Sequence, residues 1–243
     1  MPSQEEGEYH ASPASPVVVR VCLAPRNQPF DEAMDSLNVA VQMAQMAGFR
    51  ICVEKVRKGC PGFQNLGPIL AHFMASKDTH LFIAADDVVC PPDTIVRLVN
   101  ADKDIVSGIY RKNSLHRLEP ANRVNSAEEF LMKFKSAGVF ETEYGACHTM
   151  TIKRAVIEKM VKDYPELEYD DQCGSGEVHY GLFFPIIRDR KVYQDDWAFS
   201  IRAKQSGFKI WDDFGCRLKH FCGDFLGFEG IEQMEAHNEG SSK

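Results

Sequence analysis

The stretch Leu81-Phe82-Ile83-Ala84-Ala85-Asp86-Asp87 constrains this chain more than any other. Five apolar residues run without interruption into two adjacent carboxylates, and Val88-Val89-Cys90-Pro91-Pro92-Asp93 follows. A short continuous apolar run is the pattern of a strand buried on both faces, as in a parallel sheet. Open α/β sheets bind ligands outside the carboxyl ends of such strands, which is where Asp86 and Asp87 fall. Two neighbouring carboxylates at a buried strand end repel unless a cation lies beside them. A divalent metal is one answer. A solvated turn, with Asp93 capping the next helix, is the other.

The flanking sequence supplies the rest of an α/β rhythm. Residues 17–24 and 49–56 read as strands, and 105–110 as a further one. Between them, Ala33, Leu37, Ala40, Val41, Ala44 and Ala47 recur at helical spacing and stop at Gly48. Gly67-Pro68 is expected to start a second helix reaching Ser76, and Asp93 a third reaching Asn100. Strand and helix alternating in this way imply a mostly parallel sheet with right-handed crossovers. Farther on, Ser126 and Glu129 form a capping box, residues 145–152 read as a strand, and 153–161 as a helix. Residues 164–180 read as a long loop, a length usually reserved for function. Asp195 and Asp196 open a helix that ends at Gly207. Residues 208–211 and 216–218 read as two short strands, and His220 follows.

Composition removes several classes of function. A hydrophobic content of 44% over 243 residues is enough to fill the core of one large α/β domain. The net charge of -7 argues against general binding of nucleic acid or anionic membranes. No run approaches the roughly 18–20 apolar residues of a membrane span. The amino-terminal stretch, with Glu5, Glu6 and Glu8, lacks the apolar centre of a signal peptide. The eight cysteines include no Cys-x-x-Cys pair, and Cys22, Cys52, Cys90 and Cys147 lie in apolar runs. They read as reduced thiols, so a soluble cytoplasmic protein is expected.

Three groups carry chemistry: Asp86-Asp87 at a strand end, Asp195-Asp196 at a helix start, and His220 after a short strand. Each has a bland reading of its own, the second because carboxylates simply suit a helix N-terminus. Their order says more. The segments THLFIAADDVVCPPDTIVRLV (79–99), KDIVSGIYRK (103–112), YQDDWAFSIRAKQSGFKIW (193–211) and LKHFCG (218–223) together resemble the GT-A glycosyltransferases. The likeness is in particular to the small family-2-like enzymes of bacteria and large algal viruses, and it covers roughly residues 17–227. It implies a Rossmann-like GT-A domain over 17–227 with a mostly parallel central sheet flanked by helices. Residues 1–16, acidic and then rich in Ser, Pro and Ala, read by composition as a disordered tail, and 228–243 as a polar tail.

The resemblance also implies an activity. A metal-dependent glycosyltransferase moves a sugar from a UDP- or GDP-linked donor to a hydroxyl of a glycan or glycoconjugate. Asp87 and His220 are the implied ligands of Mn²⁺ or Mg²⁺, the imidazole tilting the choice towards Mn²⁺. Asp196, or its neighbour Asp195, is the implied base of an inverting step. Pro25, Arg26, Glu54 and Asn65 fall where the fold holds the nucleotide, and Asp86 faces the ribose or sugar. A retaining transferase and a catalytically weak nucleotide-sugar-binding module are the alternatives. A nucleotidyltransferase would want a glycine-rich loop after the first strand, and residues 25–29 contain no glycine. The chain departs from the family's Asp-x-Asp metal motif in one place: Ala85 stands where the first Asp would be.

Overall fold

A computed structural model describes residues 16–23, 30–55, 62–111, 126–170, 176–221 and 225–226. Apart from Pro16, the two expected tails fall outside these residues. Strand β1 (Val18–Leu23), helix α1 (Asp31–Met46), strand β2 (Arg50–Lys55), helix α2 (Gly62–Ala75) and strand β3 (His80–Ala84) open the chain. A two-residue strand β4 (Val88–Val89), helix α3 (Thr94–Asn100), strand β5 (Ile105–Ile109) and helix α4 (Ala127–Ser136) come next. Strand β6 (Val139–Thr142), strand β7 (Thr149–Lys153) and helix α5 (Arg154–Asp163) follow. Two small hairpins, β8 (Glu168–Asp170) with β9 (Val178–Tyr180) and β10 (Ile186–Arg188) with β11 (Lys191–Tyr193), precede helix α6 (Asp195–Gln205). Strands β12 (Ile210–Arg217), β13 (Lys219–Phe221) and β14 (Phe225–Leu226) complete the described elements.

Seven strands form the central sheet in the order β2-β1-β3-β7-β5-β12-β6. β1 pairs in parallel with β2 and β3, and β12 in parallel with β5. β7 lies antiparallel between β3 and β5, and β6 antiparallel to β12 at the edge. The sheet is thus mostly parallel, with helices on both faces. β3 shows why its sequence is a continuous apolar run. Leu81 and Ile83 pack with α2, α5 and α6 through Phe73, Ile157 and Phe199, while Phe82 and Ala84 pack with α1 and α3 through Ala40 and Leu98.

Some local expectations change. Helix α2 starts at Gly62, so Pro68 lies inside it and not at its first turn. Leu66, Ile69, Leu70 and Phe73 are buried at helical spacing, and the burial of that stripe outweighs the hydrogen bond that proline removes. Residues 208–218 contain one strand, not two. Its acidic centre is tolerated because Asp213 takes Arg97 in two bonds, Nε to Oδ2 at 2.5 Å and Nη2 to Oδ1 at 2.9 Å, while Ser107 Oγ donates to Asp212 Oδ1 at 2.8 Å. Asp93 is the N-cap residue of α3, but its side chain makes no capping bond. Ser126 does cap α4, accepting from Glu129 N at 3.1 Å.

Residues 164–180 contain a 3₁₀ turn and the β8–β9 hairpin instead of an open loop. The hairpin lies against α2 at Gly67, where a Cβ would meet Tyr169 Oη at 2.1 Å. Gly67→Ala is therefore expected to lower stability by about 1–3 kcal/mol through overpacking. Gly67→Ala with Tyr169→Phe, which removes the clashing hydroxyl, should recover part of the loss in urea unfolding. Among the described residues, no helix is long and apolar enough to cross a membrane.

Candidate functional site

The Asp86-Asp87 turn leaves β3 and is held by three other segments. Ala85 N donates to His148 O at 2.9 Å, Phe30 N to Asp86 O at 3.1 Å, and Phe221 N to Asp87 O at 2.9 Å. Immediately beyond the turn, β4 pairs antiparallel with β13, setting His220 opposite Val88. The Phe30 and Phe221 rings pack at 4.1 Å between centroids beside this pairing. These bonds bring together two residues that are far apart in sequence: His220 Nε2 lies 3.5 Å from Asp87 Oδ2.

A third side chain joins them. Asp87, His148 and His220 each offer a ligand atom, and the three atoms lie within 4.8 Å of one another. Both histidines are buried. Their rings meet edge to face at 5.2 Å, and the Tyr110 ring lies 4.4 Å from His148 and 5.0 Å from His220. One carboxylate and two imidazoles suit a divalent transition metal. An ion with bonds of about 2.1 Å holds adjacent ligand atoms about 3–3.5 Å apart, so the Asp87–His220 spacing already fits one. His148 offers the third ligand atom within 4.8 Å of the other two.

At the start of α6 the two acidic residues part company. Asp195 Oδ1 accepts from Asp196 N at 3.0 Å, and Asp196 Oδ1 accepts from Trp197 N at 2.8 Å. Both carboxylates thereby serve amide groups that the first helical turn leaves without helical partners. Asp196 also has a wider setting: its carboxylate, Cys147 and His148 place ligand atoms within 4.8 Å of one another. Asp195 belongs to neither three-residue group. Buried Ser200 fixes the arrangement, donating to Asp196 O at 2.8 Å and accepting from Gly145 N at 3.2 Å. Ser107 Oγ accepts from Ala146 N at 3.2 Å. Two buried hydroxyls thus pin the 145–148 segment, which is irregular and not the strand expected there. Trp197 stacks on Tyr144, with ring centroids 4.4 Å apart.

The residues expected on the nucleotide side are less gathered. Asp86 is buried next to Asp87. Glu54 lies towards the end of β2, but one oxygen takes Arg20 Nη1 at 2.6 Å and the other pairs with His72 Nδ1. Arg20 Nε also binds Asp78 Oδ2 at 2.7 Å, so Glu54 belongs to an ion-pair network along the sheet edge. Asn65 lies in the first turns of α2. Pro25 and Arg26 lie outside the described residues.

His148, Cys147 and Ser200 did not stand out in the sequence. His148 joins the site because β7 runs against its neighbours, with Thr149 opposite Ala84. The start of an antiparallel strand lies at the same edge as the ends of the parallel ones. The available signal was Cys147-His148 interrupting an otherwise apolar and threonine run.

No family model matches this chain, and no curated protein does. Solved structures with partial likeness include the A197 protein of STIV, at 13% identity, covering 84% of this chain and 85% of that one, with a TM-score of 0.46. Another is a nucleoside-diphosphate-sugar pyrophosphorylase from Vibrio cholerae RC9, at 10% identity, 84% and 96% coverage and a TM-score of 0.40. A third is a glycosyltransferase involved in glycosylation of the major capsid of PBCV-1, at 7% identity, 61% and 67% coverage and a TM-score of 0.33. These likenesses are too slight to assign a function, which must rest on the chain's own residues.

Proposed function

We propose that this protein is a metal-dependent glycosyltransferase of the GT-A type. It would transfer a sugar, with inversion, from a UDP- or GDP-linked donor to a hydroxyl of a glycan or glycoconjugate. The observation that carries this reading is convergence: Asp87, His220 and Asp196, from three separate segments, gather around His148 at the carboxyl edge of the sheet. This is the edge at which open α/β sheets take their ligands.

The chemistry asks for such an arrangement. A bound Mn²⁺ or Mg²⁺ would supply positive charge for the diphosphate that departs from the donor, and the two imidazoles favour Mn²⁺. Asp87 and His220 would hold it. Asp196 would take the proton from the acceptor hydroxyl, and its helix position aims it from a different segment than the metal ligands. Asp195 would remain a helix-start carboxylate that orients Asp196 by accepting the hydrogen bond from Asp196 N. Asp86 would face ribose or sugar, with Pro25, Arg26 and Asn65 on the nucleotide side. Glu54 would act there mainly by ordering Arg20 and His72. Free cysteines fit a reducing, cytoplasmic setting, and burial pushes the Cys22 and Cys216 thiols up, keeping them neutral.

The test is release of nucleoside diphosphate from a panel of UDP- and GDP-sugars in the presence of Mn²⁺, without acceptor. At least one donor is expected to hydrolyse slowly, and chelation should stop it. No release from any donor, with no donor bound, would leave the glycosyltransferase reading without support.

A further inference from the structure

We propose that His148 is the pivot of the site. It supplies a third protein ligand to the metal held by Asp87 and His220, and it couples that metal to the carboxylate of Asp196. The inference rests on the metal-dependent reading above.

His148 is the one residue common to both three-residue groups, Asp87–His148–His220 and Cys147–His148–Asp196. An imidazole has two nitrogens, and one that binds a metal commonly hands its other ring N–H to a carboxylate. Such a carboxylate fixes the ring's tautomer and raises its basicity as a ligand. Asp196 is the carboxylate within reach, its ligand atom lying within 4.8 Å of one on His148. Ser200 bonds both to Asp196 O and to Gly145 N, so the start of α6 and the segment carrying His148 keep a fixed relation. The imidazole itself packs against the rings of Tyr110 and His220 and is shielded from solvent.

The same geometry answers the shortfall at Ala85. Its methyl offers no ligand atom, but its N–H is bound by the carbonyl of His148 at 2.9 Å. The backbone bond therefore seats an imidazole beside the residue that lacks a donor. Two imidazoles and one carboxylate form a set suited to Mn²⁺ or a later transition ion, whereas Mg²⁺ prefers oxygen ligands and water. Asp196 then has two tasks. It stands ready for an acceptor proton, and it positions the histidine on which metal affinity depends.

The experiment is a titration of the full chain with Mn²⁺, reading free ion by electron paramagnetic resonance. His148→Ala is expected to weaken binding at least about 100-fold, and Asp196→Asn by about 10- to 100-fold. Asp196→Glu should recover part of the loss, while Cys147→Ala should bind as the native chain does. Thermal melting of each metal-free variant separates lost ligation from lost folding, with His148→Gln as the second variant at that position. Native affinity in Asp196→Asn or in His148→Ala would overturn the proposal, as would a loss caused by Cys147→Ala and not by Asp196→Asn. A native chain that binds no Mn²⁺ would instead remove the metal-dependent reading on which the proposal rests.

Discussion

Asp196→Asn is expected to lower sugar transfer by about 10²- to 10⁴-fold at saturating Mn²⁺ and donor, the usual contribution of a positioned general base. The amide is close in size to the carboxylate and can still accept from Trp197 N, as Asp196 Oδ1 does at 2.8 Å. The helix start should therefore persist, and so should the bond from Ser200 to the Asp196 backbone. What is removed is a site able to take a proton. Donor binding at saturating metal should survive, which separates loss of the base from collapse of the site. Asp195→Asn should cost much less, because Asp195 lies outside both ligand groups. Steady-state transfer, paired with donor binding under the same metal saturation, measures both effects. Equal losses for the two variants would show that the helix needs acidic residues only for its start.

Asp87→Ala should have an effect of similar size through a different quantity. Asp87 is the only carboxylate in the group with His148 and His220. Without it, the two imidazoles would face a divalent ion with no carboxylate among the three proposed ligands. Metal affinity should fall at least about 100-fold, and transfer about 10²- to 10³-fold, the range seen when one group that stabilises developing negative charge is removed. Added Mn²⁺ should restore much of the activity of Asp87→Ala, whereas the loss of about 10²- to 10⁴-fold in Asp196→Asn should persist once its weakened metal site is saturated. That contrast separates the two roles. The fold should tolerate the change, since the main-chain carbonyl of residue 87 still accepts from Phe221 N.

The parts of the molecule that were legible in the sequence are those in which a local pattern has one physical solution. The run Leu81 to Ala84 is apolar on every residue because β3 is covered by helices on both faces. Gly48 ends α1 with a positive φ of 90° that a side chain would resist. Asp87 and His220 were paired by the resemblance, and the β4–β13 pairing brings them within 3.5 Å of each other. His148 was not found, because membership depends on the direction of β7, and alternation of apolar residues carries no direction. The acidic centre of β12 misled for a related reason. Asp212 and Asp213 are buried only because Ser107 and Arg97, more than 100 residues earlier, reach them. Long-range satisfaction of a buried polar group leaves no trace in a short window of sequence. The two short hairpins before α6 were missed because their strands have three residues each, too few to show a period.

The most direct measurement of the central claim is isothermal titration of the chain with UDP- and GDP-sugars, with Mn²⁺ and again with EDTA. The expected result is saturable binding of at least one donor with Mn²⁺ and at least about tenfold weaker binding with EDTA. Binding that is absent with every donor, or identical under both conditions, would contradict a metal-dependent nucleotide-sugar transferase.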